Sequence, residues 1–147
     1  MTTRQRDADE HYVLDLCDEI LGEAGLRQHR FDWLVGDRSS TGRVARLPVD
    51  SYYPQHRLVI EYRERQHDVR VPFFDRRATL SGVLRGEQRR LYDHRREREI
   101  PRHGLSLAII RPSDLASDSR GRLRRDRTRD IDGLRQILIV GGGRGET

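Results

Sequence analysis

Residues 47–67 read LPVDSYYPQHRLVIEYRERQH and carry the strongest indication of the fold. The second half of this stretch contains an apolar run at residues 58–60, which is typical of a central strand buried on both faces. Its first half carries Leu47 and Val49 and then reaches Pro54, which marks a turn. The stretch therefore predicts two adjacent strands, with an acid near the end of each.

Before this stretch, apolar residues at helical spacing predict a helix over residues 10–24 that ends at Gly25. Residues 1–9 are polar and are expected to fray. Apolar runs and turn signals predict one further helix and four strands, which are the helix 80–100 and the strands 30–35, 44–53, 58–62 and 105–110. The order α-β-β-β-α-β predicts an α/β domain with a mixed central sheet flanked by helices.

The chain is expected to divide into a core and two C-terminal segments. Residues 1–116 form the predicted core. Residues 117–130 are rich in Arg, Ser, Asp and Gly and predict a mobile basic connector. Residues 131–147 contain an apolar segment, which could be a helix or a strand, and a flexible Gly-rich tail.

Composition favours a polyanionic partner. The 147 residues suit one domain, the net charge is +5, and all 29 basic residues are Arg. A basic balance favours nucleic acid, although 24 acidic residues are mixed in. Arg suits paired phosphate oxygens, but coding bias from a GC-rich genome would equally explain the absence of Lys.

The single cysteine and the pattern of apolar residues limit the cellular compartment in which we expect the protein. Cys17 is the only cysteine, which excludes an intrachain disulfide and a zinc site made of thiolates. No signal peptide is evident, and no apolar run approaches the ~20 residues of a membrane span. We therefore expect a cytoplasmic protein with no membrane partner.

Three polar side chains are predicted to converge where the two central strands end. Side chains in a strand repeat every two residues, so Glu61 and Arg63 share a face. A hairpin can bring Asp50 to the same point. Two carboxylates can hold Mg²⁺ or Mn²⁺, and a nearby cation can stabilise charge on a phosphate, as phosphodiester hydrolysis requires. The alternative is a pair of solvated acids at the ends of a hairpin.

The segment 47–67 resembles the core of the PD-(D/E)xK nucleases, and most closely the branch similar to very-short-patch repair endonucleases. That branch reads V-D, a short turn, and I-E followed closely by Q-H. It continues with a helix carrying D-x-x-R, matched by Asp93 to Arg96, and a glycine followed by an apolar strand, matched from Gly104. The resemblance covers residues 10–115. It implies a restriction-endonuclease-like core and an endonuclease that hydrolyses DNA phosphodiester bonds.

The resemblance also implies roles for individual residues. Asp50 and Glu61 match the metal ligands, and Glu10 resembles an acid that many members carry on the first helix. Arg63 stands where Lys is usual. Because Arg stays protonated, it cannot act as the general base. The base would then be His67, which matches a histidine of this branch, or a water activated at the metal.

Further candidates lie on the second helix and in the connector. Asp93 matches a helix acid of the branch, or else simply pairs with Arg96. Phe73 and Phe74 could contact bases or cover the core. The arginines predicted to bind nucleic acid, unless they belong to a solvated face or a solubilising linker, are Arg89, Arg96, Arg122, Arg124 and Arg125.

Three functions remain open from the sequence. The first is the metal-dependent nuclease, with DNA as the expected partner and a homodimer as an option. The second is a nuclease fold without catalysis that binds nucleic acid, an alternative supported by Arg63. The third is a structural protein with no nucleic-acid role.

Overall fold

Helices and strands follow one another in the predicted order. The computed structural model describes the backbone of residues 3–64 and 76–142 and the side chains of residues 8–64 and 85–139. The elements in this part of the chain are α1 (Thr3–Leu21), β1 (Leu26–Val35), β2 (Arg46–Tyr53), β3 (Leu58–Tyr62), α2 (Arg76–Arg102), β4 (Ser106–Ile110) and α3 (Arg127–Gly142), with 3-10 turns at Pro54–His56 and Pro112–Asp114. The predicted α/β class is confirmed.

The four strands form one mixed sheet in the order β1-β2-β3-β4. β1 pairs antiparallel with β2, β2 antiparallel with β3, and β3 parallel with β4. All five residues of β3 are buried. The apolar run at residues 58–60 therefore forms the centre of the sheet, as predicted, and α2 connects β3 to its parallel neighbour.

The sheet separates two core layers. Ile60 and Tyr62 pack with residues of α1 and α3 in one layer, whereas Val59 packs with Val49 and Ile100 in the layer beneath α2. The C-terminal segment, left open as helix or strand, is the helix α3. Its buried side chains include Leu134 and Leu138, so the segment belongs to the same core as α1 rather than to an appended tail.

The end of α1 differs from the prediction. The helix begins at Thr3, within the residues expected to fray, and ends at Leu21. Gly22, with φ +65°, takes the left-handed conformation that was assigned to Gly25. Gly25 is needed for a different reason. A Cβ there would lie 2.1 Å from the Ser51 Oγ and 2.6 Å from the Tyr53 ring.

The connector, residues 117–130, forms hydrogen bonds of its own. The Asp118 carboxylate accepts hydrogen bonds from the backbone amides of Arg120 and Arg122. Leu123 forms a β-bridge with Ser117. Asp residues that accept from following amides are a usual cause of turns.

No helix in the described parts of the chain has the length and apolar character needed to cross a membrane.

Two glycines provide a test of this packing. Gly25→Ala must displace a buried tyrosine ring, so we expect it to lower the free energy of unfolding by about 1–3 kcal/mol or more. Gly86→Ala, on α2, meets nothing within 4 Å. It should raise stability by up to about 1 kcal/mol, because glycine is a poor helix former. Urea denaturation measures both, and equal effects would contradict the close approach at Gly25.

Two buried tyrosines provide a second test. The Tyr62 hydroxyl is buried and has no hydrogen-bond partner among the described residues. The Tyr53 hydroxyl instead donates to Asp18 at 2.5 Å. We expect Tyr53→Phe to lose about 1–3 kcal/mol and Tyr62→Phe to be neutral or stabilising. A large loss in Tyr62→Phe, measured by urea denaturation, would mean that its hydroxyl is paired in solution.

Candidate active site

The side chains of β2 depart from strict alternation around Asp50. The pairs Arg27↔Ser51 and His29↔Val49 bracket Gln28 and Asp50. Gln28 has φ +51°, a conformation that non-glycine residues rarely adopt. Val49 and Tyr52 pack in the same core layer, although strict alternation would place residues 49 and 52 on opposite faces. The alternation is therefore interrupted at Asp50.

Where β2 and β3 separate, the side chains of Asp50 and Glu61 take the place of the backbone hydrogen bonds between the two strands. The paired residues of β2 and β3 end at Ser51↔Ile60. Beyond this point the Asp50 amide donates to the Glu61 carboxylate at 2.7 Å, and the Tyr62 amide donates to the Asp50 carboxylate at 2.8 Å. The two carboxyl groups, here called the acid pair, are thus held by reciprocal bonds to each other's strand, and the predicted convergence of Asp50 and Glu61 is observed.

Two guanidinium groups lie beside the acid pair. Arg96 of α2 places its Nε 3.5 Å from the Glu61 carboxylate and donates from the same atom to the Pro48 carbonyl at 3.1 Å. Its Nη1 lies 3.0 Å from Asp93. Arg63, two residues after Glu61, has its Nη1 2.8 Å from Glu97 and its Nη2 3.8 Å from Asp93. Both arginine side chains are largely buried, with exposed fractions of 13% and 9%.

Burial raises the pKa of both members of the acid pair. For Glu61, which is 5% exposed, burial and the neighbouring charge of Asp50 raise the pKa to about 8. Burial also raises the pKa of Asp50. A hydrogen bond from the Glu61 carboxyl group and the Tyr62 amide act in the opposite direction on Asp50. Burial and the mutual repulsion of the two carboxylates therefore favour a state in which the pair shares one proton.

The donors of the Arg63 guanidinium are not all paired within the described part of the chain. Its Nε and Nη2 are buried and have no hydrogen-bond partner in the described part of the chain. A buried donor without an acceptor costs about 1–3 kcal/mol, and more when the group is charged. Arg63 cannot lose its proton. An anion that accepted hydrogen bonds from Nε and Nη2 would therefore bind with little further cost of removing water from the guanidinium.

The third predicted metal ligand is Glu10. Glu10 is half-buried on α1, and its charge contributes to a raised pKa of Tyr62, which packs in the core layer opposite to that of Val59. Among the described residues, no group of three or more His, Cys, Asp or Glu side chains could hold a metal ion. The role of Glu10 as a third ligand stays a prediction. His67, Phe73 and Phe74 lie outside the described residues.

The arginines predicted to bind nucleic acid fall into different environments. Arg89 is exposed on α2, and Arg124 is exposed in the connector. Arg122 pairs with Asp118 at 2.9 Å, and Arg125 pairs with Asp9 at 2.9 Å. Arg96 is not on a solvated face as the charge pattern suggested, because α2 directs it toward Glu61. Its predicted contact with nucleic acid would have to occur inside the site.

Sequence reasoning missed Glu97. It is not among the predicted site residues, but its carboxylate lies 2.8 Å from Nη1 of Arg63. The helical spacing contained a signal, because Asp93, Arg96 and Glu97 lie at i, i+3 and i+4 on one face. That face is shared with Ile100, which is fully buried.

A scan of protein-family models finds no match to the chain, and searches of curated proteins and of solved structures find none either.

The shared proton predicts a pH dependence of stability. The folded-state pKa of Glu61, about 8, exceeds the ~4.3 of an unfolded glutamate. Protonated Glu61 therefore contributes stability that is complete below pH ~4 and is lost as the pH rises through ~8. In EDTA, we expect the free energy of unfolding to fall by a few kcal/mol across this window. Glu61→Gln, which keeps the acceptor for the Asp50 amide, should remove most of that fall.

The matched control is Asp32→Asn on β1, whose carboxylate is 94% exposed. It should keep the pH dependence of the wild type, as measured by urea denaturation at a series of pH values. Parallel curves for Glu61→Gln and wild type would mean that Glu61 ionises with an ordinary pKa.

Proposed function

We propose that this protein is a metal-dependent endonuclease that hydrolyses DNA phosphodiester bonds at the acid pair. The observation that carries the proposal is the combination of the buried Glu61 and the half-buried Asp50 with Arg63, which directly follows β3 and has two donors without a hydrogen-bond acceptor among the described residues. The carboxylates suit a divalent cation, and the guanidinium suits a phosphate. Perturbed carboxyl pKa values beside a charged partner are typical of functional sites.

The donor set fits Mg²⁺ or Mn²⁺. Asp50 and Glu61 offer hard oxygen ligands, and Mg²⁺ is commonly bound by one or two carboxylates with water completing its shell. The site groups comprise four carboxylates, Asp50, Glu61, Asp93 and Glu97, and two guanidiniums, Arg63 and Arg96. When all are ionised, the excess is two negative charges, which is the charge that one divalent cation neutralises. Bound there, the cation would supply Lewis-acid polarisation of the scissile phosphate.

The protein's own residues would bind and orient the substrate. Arg63 would donate from Nε and Nη2 to phosphate oxygens and stabilise the charge that grows on them. Glu97 fixes the guanidinium through Nη1 and leaves the other donors available. Arg96 holds Glu61 and Asp93 in place. His67 remains the candidate general base from the resemblance.

The fold supports the same proposal. The resemblance of residues 47–67 implies a restriction-endonuclease-like core, with the acids at the ends of neighbouring strands. The observed strand order, antiparallel across β1, β2 and β3 and parallel between β3 and β4, is compatible with such a core. In the same arrangement, the acid pair lies where β3 ends, and ligands of α/β sheets generally bind at the carboxyl ends of strands.

The direct test is cleavage of supercoiled plasmid and of a labelled single strand with Mg²⁺, Mn²⁺ or EDTA. We expect metal-dependent cleavage by the wild type. Asp50→Asn should reduce it by about 100-fold or more, because it removes a ligand that stabilises transition-state charge. Asp32→Asn, an exposed carboxylate on β1, is the matched control and should cleave like the wild type. Equal cleavage by the wild type and Asp50→Asn would locate the activity elsewhere or in a contaminant.

A second candidate is a nucleic-acid-binding module without catalysis. Arg96 and Arg63 already compensate part of the charge of the acid pair, as arginines would if no cation were bound there. In that case the wild type binds DNA without cutting it under any of the metal conditions. Asp50→Asn then binds equally well, with a strong salt dependence from counterion release.

A further inference from the structure

The N-terminal half of α2 contains a stretch that is solvent-exposed on every side. From Arg85 to Leu91, each residue is exposed except the half-buried Gly86. From Tyr92 onward the helix packs on the sheet, and Ile100 is fully buried. We name residues 85–91 the arm. The position of a helical stretch that is exposed all round is not explained by packing against the core.

The arm adjoins the proposed catalytic site. α2 follows β3 and returns to a parallel strand, so its N-terminal half lies toward the end of the sheet at which β3 ends. Asp93 and Arg96, which contact the site, follow the arm within two turns. The arm therefore extends away from the acid pair, along the direction in which a bound substrate could continue.

Two arginines of the arm, Arg85 and Arg89, lie on the same side of the helix as Arg96, which contacts the site. At about 100° per residue, Arg85, Arg89 and Arg96 fall within about 40° of one another. They span about 16 Å of helix axis. The arm carries three arginines and one acid, Glu87. Arg89 and Arg90 have no ion pair in the part of the chain that the structure describes, in contrast to the connector arginines Arg122 and Arg125.

We infer that the arm is a substrate track, in which Arg85 and Arg89 contact backbone phosphates beside the bond cut at the acid pair. The inference rests on the proposed function and specifies its substrate as a polynucleotide that extends past the site along α2. One strand of B-DNA carries a phosphate about every 3.4 Å of its axis, so this helix face can cover several phosphates. Such contacts position the substrate and read no sequence.

The test compares two charge removals on opposite faces of one helix. Arg98 lies about 180° from Arg89 and is 63% exposed beside Glu99. Arg89→Gln and Arg98→Gln remove the same charge, and Gln is almost as good a helix former as Arg. Both are made in the Asp50→Asn background, so that the DNA stays intact. Binding of a fluorescein-labelled 30-base-pair duplex is followed by anisotropy against salt concentration.

We expect Arg89→Gln to weaken binding and to reduce the slope of log affinity against log salt by about 0.9, the value for one phosphate contact. Arg98→Gln should leave the slope unchanged. Equal effects of the two substitutions, or no effect of Arg89→Gln, would overturn the track while leaving the nuclease proposal intact if the wild type still cuts plasmid. Absence of binding in the parent protein would overturn both.

A second measurement locates the DNA directly. Cys17 is fully buried, so a cysteine introduced at the surface is the reactive thiol of the chain. Arg89→Cys and Arg98→Cys are each labelled with a photocrosslinker and irradiated with the duplex. Crosslinking from position 89 and not from position 98 supports the track, and the reverse pattern overturns it.

Discussion

The site depends on two backbone amides that lose their ladder partners. Once β2 and β3 separate after Ser51↔Ile60, the amides of Asp50 and Tyr62 need acceptors in a buried region. Carboxylates at positions 50 and 61 supply them. A buried carboxylate in turn needs a proton or a cation, because desolvation penalises its charge. The shared proton and the approach of Arg96 follow from that one backbone requirement.

The parts of this arrangement that follow from local sequence could be predicted. The apolar run at residues 58–60 between two turn signals gave the bounds of β3, and hairpin geometry brought Asp50 and Glu61 together. The end of α1 could not be assigned in the same way, because Gly22 and Gly25 both suit a helix end. Only the approach of Ser51 and Tyr53, a tertiary contact, shows what Gly25 is needed for.

The surroundings of the acid pair were harder to predict for the same reason. Because α2 carries many arginines, several different rotations about the helix axis would each direct some arginines toward solvent and others toward the sheet. The buried Ile100 selects one of these rotations, and this choice turns Arg96 and Glu97 toward β3. The sequence shows the spacing of Asp93, Arg96 and Glu97 along the helix, but it does not show how the helix is rotated about its axis. The predicted nucleic-acid role of Arg96 was therefore assigned without the contact to Glu61 that now constrains it.

Stability alone does not explain why Arg63 occupies its position. Replacing a buried ion pair by apolar residues of similar volume is often neutral or stabilising, so burying a guanidinium beside Glu97 is a poor way to stabilise a fold. The cost is greater here because two of its donor nitrogens have no hydrogen-bond acceptor within the described residues. A backbone that already required carboxylates at positions 50 and 61 would have accepted an apolar residue at position 63. The phosphate of the proposed substrate would supply acceptors for those donors.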